Sequence, residues 1–289
     1  MRDRPVFRFA PSPNGELHLG HALSALLGYE RAIAAGGRFL LRIEDIDVGR
    51  TRPEFVAGIF EDLRWLGLEW EEPVLLQSQR MNAYRAAAER LDALGLLYPC
   101  FATRSEIDAA AMDGALDPDG APLYPGLWKG RAPEEIADMQ AAGRPFTLRI
   151  DMAKAREVVT GKLGGAPLTF VEFAEDGTPL TVEAHPERWG DAVAVRKDVP
   201  TSYHLAVVAD DAWQGVTHVT RGRDLYAATD LHRLLQVLLD LPEPIYHHHR
   251  LITDESGRKL AKTARDTSLR ALREQEVALT EVRHLIGLD

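Results

Sequence analysis

Arg8-Phe9-Ala10-Pro11-Ser12-Pro13-Asn14-Gly15-Glu16-Leu17-His18-Leu19-Gly20-His21 is the stretch on which the reading of this chain turns. A short strand enters a loop that two prolines and Asn14-Gly15 keep irregular, and a helix follows. Leu17, Leu23, Leu26, Leu27 and Ile33 recur at helical spacing until Gly36-Gly37 ends the helix. His18 and His21 therefore share one face of its first turn. Unpaired N–H groups and the positive end of the helix dipole attract phosphate there, and two imidazoles add donors without a permanent charge. Gly20 lets a flat base approach the backbone. Alone, a His-x-x-His pair reads equally as surface decoration or a metal fragment; the loop before it favours a nucleotide site.

Outward from this segment, Arg38 to Ile43 reads as a buried strand, and Thr51-x-x-Glu54 as a capping box opening a helix closed by Gly67. Another amphipathic helix spans about Gln79 to Leu94, so the first hundred residues alternate strand and helix and predict a parallel sheet. From Cys100 to His185 the pattern changes to the turn Asp117-Pro118-Asp119-Gly120, a short helix near Pro133 to Ala142, and strands around Asp176-Gly177. Ala192 to Val195, Tyr203 to Val208 and Val216 to Thr220 read as strands, Leu225 to Leu239 as a helix, and Ser268 to Leu288 as a helical tail. This order predicts an α/β fold split by an insertion, with ligands at the carboxyl ends of the parallel strands.

His18-Leu19-Gly20-His21 resembles the HIGH signature of class I aminoacyl-tRNA synthetases, and Arg8 to Pro13 is similar to the glutamyl branch. Lys259-Leu260-Ala261-Lys262-Thr263 resembles the KMSKS loop of the same class, although by itself it reads as a solvated basic turn. Neither a P-loop nor a convincing Gly-x-Gly-x-x-Gly fingerprint competes for the nucleotide. The resemblance implies a Rossmann-like core, with 1–99 as its first half, 100–190 as an acceptor-binding insertion, 191–252 as the second half, and 253–289 as the second-motif loop and tail. It implies ATP with Mg2+, and attack of a carboxylate oxygen on the α-phosphorus. His18, Gly20, His21 and Lys262 would hold ATP, with His18, His21, Lys259 and Lys262 catalytic; lysine brings compact charge to a leaving pyrophosphate.

For the amino acid, the resemblance implies Arg8, Ala10, Ser12, Glu44, Tyr203 and Arg221. Leu41-Arg42-Ile43-Glu44-Asp45 matches the glutamyl pattern whose glutamate meets the substrate ammonium, while Asp45 and Asp47 are read as structural. Two arginines suit a substrate with two carboxylates. On their own, Tyr203 reads as a core residue and Arg221 as a strand-end ion pair. Ser12 and Ile43-Glu44-Asp45 match glutamyl rather than glutaminyl enzymes.

Two departures refine the reading. Glutamyl relatives often carry a Cys-x-Cys and Tyr-x3-Cys zinc set; here only Cys100 and Tyr124 remain, with Ala102 and Trp128 in the other places, so no structural zinc is expected and packing around Trp128 is the expected substitute. His247-His248-His249 alternates faces and cannot converge on one metal, which predicts a partly exposed strand. Full-length glutamyl enzymes also continue well beyond the second motif into an anticodon-reading region. Its expected absence resembles the glutamyl-queuosine tRNA(Asp) synthetase branch, in which glutamate is joined to the queuosine base of tRNA(Asp). The alternatives are a compact glutamyl-tRNA synthetase charging a 3′ end, a non-catalytic tRNA-binding relic, and a nucleotidyltransferase acting on another small acid.

Composition sets the outer bounds. The 289 residues, 45% of them hydrophobic, support a sizeable core, and one cysteine excludes an intramolecular disulfide. A net charge of −10 argues against indiscriminate nucleic-acid binding, though not against a local basic face. No apolar run spans a bilayer and no signal-peptide pattern opens the chain, so a cytoplasmic monomer without membrane association is the expectation.

Overall fold

The computed structural model describes residues 4–47, 49–111, 114–174, 177–252 and 268–288. The first half runs β1 (Val6–Phe9), α1 (Leu19–Ala34), β2 (Arg38–Ile43), α2 (Pro53–Trp65), β3 (Glu71–Leu76), α3 (Met81–Ala93) and β4 (Leu97–Cys100). The chain continues with α4 (Arg104–Ala110), α5 (Pro133–Ala141), β5 (Thr147–Ile150), α6 (Met152–Lys162), β6 (Thr169–Phe173), β7 (Pro179–Glu183) and β8 (Val193–Val195). There follow α7 (Tyr203–Trp213), β9 (His218–Gly222), α8 (Ala228–Leu238), β10 (Ile245–His249), α9 (Leu269–Glu274) and α10 (Leu279–Leu285).

Seven strands form the main sheet in the order β3-β2-β1-β9-β10-β6-β7, parallel throughout except for the closing β6–β7 hairpin. Strands buried on both faces carry the near-continuous apolar runs that parallel sheets require, as in Phe39-Leu40-Leu41. Their side chains alternate. Phe7, Phe9, Phe39 and Leu41 pack under α1, α2, α9 and α10, while Val6, Leu40, Val219 and Tyr246 face the other way. The same alternation sends Arg8, Arg42, Arg221 and His248 to the α7–α8 side, which gives the sheet one apolar face and one where charged and polar groups stand beside an apolar cluster. Each fully buried Leu or Phe on the first contributes roughly 1.5–3 kcal/mol, enough to tolerate the polar second.

The strands from β4 to β8 are divided between two sheets. β4, β5 and β8 make a small antiparallel sheet, whereas β6 joins the main sheet by pairing Glu172 with Tyr246. Where glutamyl relatives often carry the zinc set, the Cys100 thiol lies 3.3 Å from the Tyr124 hydroxyl, which accepts the Trp128 N–H at 2.8 Å. Trp128 packs on Phe101 with ring centroids 4.8 Å apart, and Arg149 covers the Tyr124 ring. Aromatic packing and a guanidinium hold this loop together.

Several local expectations change. Tyr203 to Val208 is helix α7, not strand: an unbroken apolar run has no period to separate the two, and Ser202 caps it by accepting the Leu205 N–H. Thr51 does not cap α2; Pro53 fixes the helix start one residue later, and the Thr51 hydroxyl bonds the Asp47 carbonyl instead. The tail is two short helices, broken at Glu276 with φ 57°, and Leu285 is exposed while Leu269, Leu272, Val282 and Ile286 are buried. Ile33 drifts off the buried stripe of α1 to 62% exposure. The three histidines of β10 are all buried, because the hairpin of the insertion covers that strand's outer edge.

Candidate active site

Two backbone features bring the opening segment to the carboxyl end of the sheet. β1 stops at Phe9, and the Glu44 N–H bonds the Pro11 carbonyl at 3.0 Å, tying the proline loop to the end of β2. Ser12, Glu44 and Tyr203 then line one cleft of about 130 Å³, together with Asp47, Arg50 and Gln77. Ala10 lies beside Phe9 at the strand end. Asp45 does not face the cleft; its carboxylate accepts from the N–H and hydroxyl of Ser78, at 2.8 and 2.6 Å, and is structural as expected.

Beneath the cleft, Asp211 of α7 accepts from Arg8 Nε at 3.1 Å, Arg8 Nη2 at 3.3 Å and Arg42 Nη1 at 2.7 Å. Arg42 also reaches Glu44 at 3.1 Å, so two guanidiniums and two carboxylates share one buried network. Burial opposes ionisation of Asp211, but Arg8 and Arg42 outweigh it and hold its pKa below the usual carboxylate value. For Glu44 burial is the stronger influence and the pKa rises, with Arg42 and Arg8 opposing. Tyr203 is pushed up to about 12 by burial, reinforced by Glu44, and its hydroxyl stays protonated at neutral pH. Asp210, the neighbour of Asp211, collects Gln77, Arg80 and the Tyr84 hydroxyl and so fixes the far wall.

Arg221 lies on β9, outside that network. Its Nε donates to His248 at 3.3 Å, Nη1 contacts His232 at 3.2 Å and Nη2 donates to Thr229 at 2.7 Å. None of these partners is a carboxylate. Burial drives the pKa of His248 down to about 4 and that of His232 well below its ordinary value, with Arg221 adding to both. The result is a buried guanidinium solvated by neutral rings. Tyr203 links the two clusters, its ring 5.8 Å from that of His232.

At the first turn of α1, His18 is the N-cap: its Nδ1 accepts the Gly20 N–H at 3.1 Å, and His21 Nδ1 accepts the His18 N–H at 3.2 Å. The rings lie 3.9 Å apart. This alters the expected donor set, because the imidazoles themselves take up first-turn N–H groups. With both Nδ1 atoms accepting, each neutral ring carries its proton on Nε2 and presents that as the donor. Gly20 has a second reason to be glycine: a Cβ there would stand 2.9 Å from His18 Cε1.

Lys259 and Lys262 lie outside the described residues. The flanks of their segment sit against the first motif: Ser268 bridges to His18, the Leu269 N–H bonds the Leu17 carbonyl at 2.8 Å, and His249, near the other flank, lies 2.6 Å from the Ser24 hydroxyl of α1. Sequence reasoning missed Arg42, Asp211, Thr229, His232 and His248 as parts of the site. A charged residue inside a buried strand marked Arg42, and Asp210-Asp211 in an apolar run marked α7; the others carried no local signal.

Comparison with known proteins places these observations in a family. The family model described as tRNA synthetases class I (E and Q), catalytic domain, matches residues 6–286. A protein of Rhodobacter capsulatus named Glutamyl-Q tRNA(Asp) synthetase is 48% identical over 289 residues, covering 98% of this chain and 100% of that protein. Glutamate--tRNA ligase 2 of a Methylobacterium species is 40% identical, over 94% of this chain and 57% of its own length. The crystal structure of a glutamate-tRNA synthetase from Elizabethkingia anophelis superposes with a TM-score of 0.73 at 27% identity, over 91% of this chain. This chain spans about half of that structure, 54% of its length.

Proposed function

From its membership of the class I tRNA synthetases of the E and Q group, we propose that the chain activates glutamate with ATP and transfers it to the queuosine base of tRNA(Asp). The observation that carries the amino-acid assignment is Arg221, a buried guanidinium whose partners are all neutral. Such a group gains most from a ligand carboxylate, which replaces dipoles with a charge-assisted, two-point contact. Arg8 already shares Asp211, so Arg221 is the stronger carboxylate site of the two. Glu44, at the cleft and hydrogen-bonded by Arg42, serves the substrate ammonium, a cation that would favour its ionised form, and Tyr203 and Ser12 add hydroxyls to the same cleft.

In the activation step one oxygen of the α-carboxylate attacks the α-phosphorus of ATP and pyrophosphate leaves. His18 and His21 donate from Nε2 to phosphate oxygens, and Lys259 and Lys262 neutralise the departing pyrophosphate. Catalysis on this scheme is positioning plus electrostatics. Mg2+, carried with ATP, would supply charge neutralisation at the phosphates; among the described residues no group of three or more His, Cys, Asp or Glu side chains is placed to hold a metal ion. A cyclopentene-diol hydroxyl of queuosine then attacks the mixed anhydride, forming the ester and releasing AMP.

Support for the acceptor comes from identity: the Rhodobacter capsulatus protein named Glutamyl-Q tRNA(Asp) synthetase is 48% identical, against 40% for the Methylobacterium ligase. The 40% identity to that ligase supports the second reading, charging of a tRNA 3′ end. Radiolabelled glutamate, ATP and purified tRNAs separate them: label should appear on tRNA(Asp) only when it carries queuosine, and should survive removal of the terminal adenosine. Label confined to tRNA(Glu) refutes the proposal.

A further inference from the structure

We propose that Glu172, on the β6 strand of the insertion, is a positioning residue for Arg221: it selects the tautomer of His248 that offers a lone pair to the guanidinium. The argument follows the protons. Arg221 has only donors, so each ring facing it must face it with an unprotonated nitrogen. His248 Nε2 is that nitrogen, 3.3 Å from Arg221 Nε and 3.0 Å from the Thr229 hydroxyl. Thr229 accepts from Arg221 Nη2 at 2.7 Å and so has its own hydrogen to give to His248. Two donors converge on one lone pair, which requires the proton of His248 to sit on Nδ1.

A neutral histidine side chain in water favours Nε2–H, so the Nδ1–H tautomer has to be held by its surroundings. Glu172 Oε1 lies 2.8 Å from His248 Nδ1 and accepts that proton. The carboxylate is mostly buried, with a side-chain exposure of 14%, and is the acceptor that Nδ1 meets among the described residues. The second side of Arg221 follows the same rule without a carboxylate. His232 turns Nδ1 to the guanidinium and its Nε2 lies 3.2 Å from His204 Nδ1. With Nδ1 of His232 accepting, its Nε2 carries the proton and donates to His204.

Glu172 therefore differs from a surface ion pair. It stands one imidazole away from the guanidinium, contributes its negative charge through that ring, and helps fix the guanidinium so that the second N–H of each Nη is oriented for a ligand. It also belongs to the hairpin that the insertion adds to the main sheet, so the position of that hairpin is read directly at the carboxylate site. In its link to substrate this inference rests on the reading of Arg221 as the site for a glutamate carboxylate.

The test uses the full chain, with Glu172→Ala and Glu172→Gln. Nitrogen-15 spectra of histidine-labelled protein report the tautomer of His248, whose signals are assigned by their loss in His248→Asn. The expected result is Nδ1–H in the parent, loss of that tautomer in Glu172→Ala, and its recovery in Glu172→Gln, whose amide oxygen still accepts. Glutamate-dependent ATP–pyrophosphate exchange should show KM for glutamate raised on the order of tenfold in Glu172→Ala with kcat little changed, as expected for loss of one hydrogen-bonded support. The glutamine variant should restore most of it. An unchanged tautomer in Glu172→Ala overturns the proposal, as does a switched tautomer with unchanged KM. If the parent catalyses no glutamate-dependent exchange, the functional reading fails instead, and the tautomer together with the Arg221 Nε–H chemical shift still decides the positioning role.

Discussion

Replacing Asp211 with asparagine removes the charge on which the floor of the cleft is built. The carboxylate accepts three hydrogen bonds, two from Arg8 and one from Arg42, and is almost fully buried. Asparagine keeps one acceptor oxygen but turns an NH2 group toward a guanidinium. Arg42 retains Glu44 at 3.1 Å and Gln214 at 2.9 Å, so the loss falls mainly on Arg8. Breaking a buried ion pair from one side costs about 3–5 kcal/mol. At about 2 °C per kcal/mol for a chain of this size, melting falls by about 6–10 °C. The pH dependence has a fixed sign. The folded pKa of Asp211 lies below its ordinary value of 3.8, so its contribution is fully present above that pH and is lost as pH falls through the folded pKa. The parent should therefore melt higher than Asp211→Asn by a constant margin from pH 7 down to about 4, with the gap closing only in stronger acid. Thermal unfolding followed by circular dichroism measures this. A melting point within 2 °C of the parent at pH 7, or a gap that closes by pH 6, refutes the shared-carboxylate account.

Three further outcomes are expected. Gly20→Ala should cut ATP–pyrophosphate exchange by about tenfold or more, because the new methyl displaces the His18 ring, while unfolding free energy changes by less than about 1 kcal/mol since alanine favours helix; an unaltered exchange rate argues against His18 as a phosphate donor. Arg221→Lys keeps the charge but not the fork that meets His248, His232 and Thr229, so KM for glutamate should rise at least about tenfold, measured in the same assay, and an unchanged KM removes Arg221 from recognition. Burial lowers His204 and His248 from 6.5 to about 4, so their contribution to stability is full above 6.5 and is lost as pH falls toward 4, by up to about 1.4 kcal/mol per pH unit for each. Urea unfolding at pH 7, 6 and 5 should show that slope, and a flatter one in His204→Asn; identical slopes would count against buried neutral imidazoles.

The parallel α/β core was legible in the sequence because its strands are short apolar runs set between helices with clear periods, and because the loop at Pro11 to Gly15 has the chemistry of a strand end. The site was legible where residues keep fixed spacing from a motif, as His18 and His21 do within one helical turn. Asp211 lies 203 residues from Arg8, and only the packing of α7 on the sheet brings the two together; Thr229 and His232 follow Arg221 by 8 and 11 residues, but no local pattern says that α8 folds back over β9. Tyr203 to Val208 failed for a different reason: a segment apolar on all sides has no period to read, and α7 is buried on nearly every side.

The strand order also constrains how the molecule comes into being. β1 borders β2 on one side, paired at Val6 with Arg38, and β9 on the other, paired at Phe7 with His218. A ribosome must therefore deliver more than two-thirds of the chain before the first strand has its second neighbour. Until then Val6 to Phe9 forms an open, apolar sheet edge, the kind of surface on which nascent chains stick to one another. Pairing across such a separation is slow. In this fold the floor of the cleft, with Arg8 on β1 and Asp211 on α7, is assembled at the same late stage, so a stalled or prematurely released product is aggregation-prone and lacks that floor.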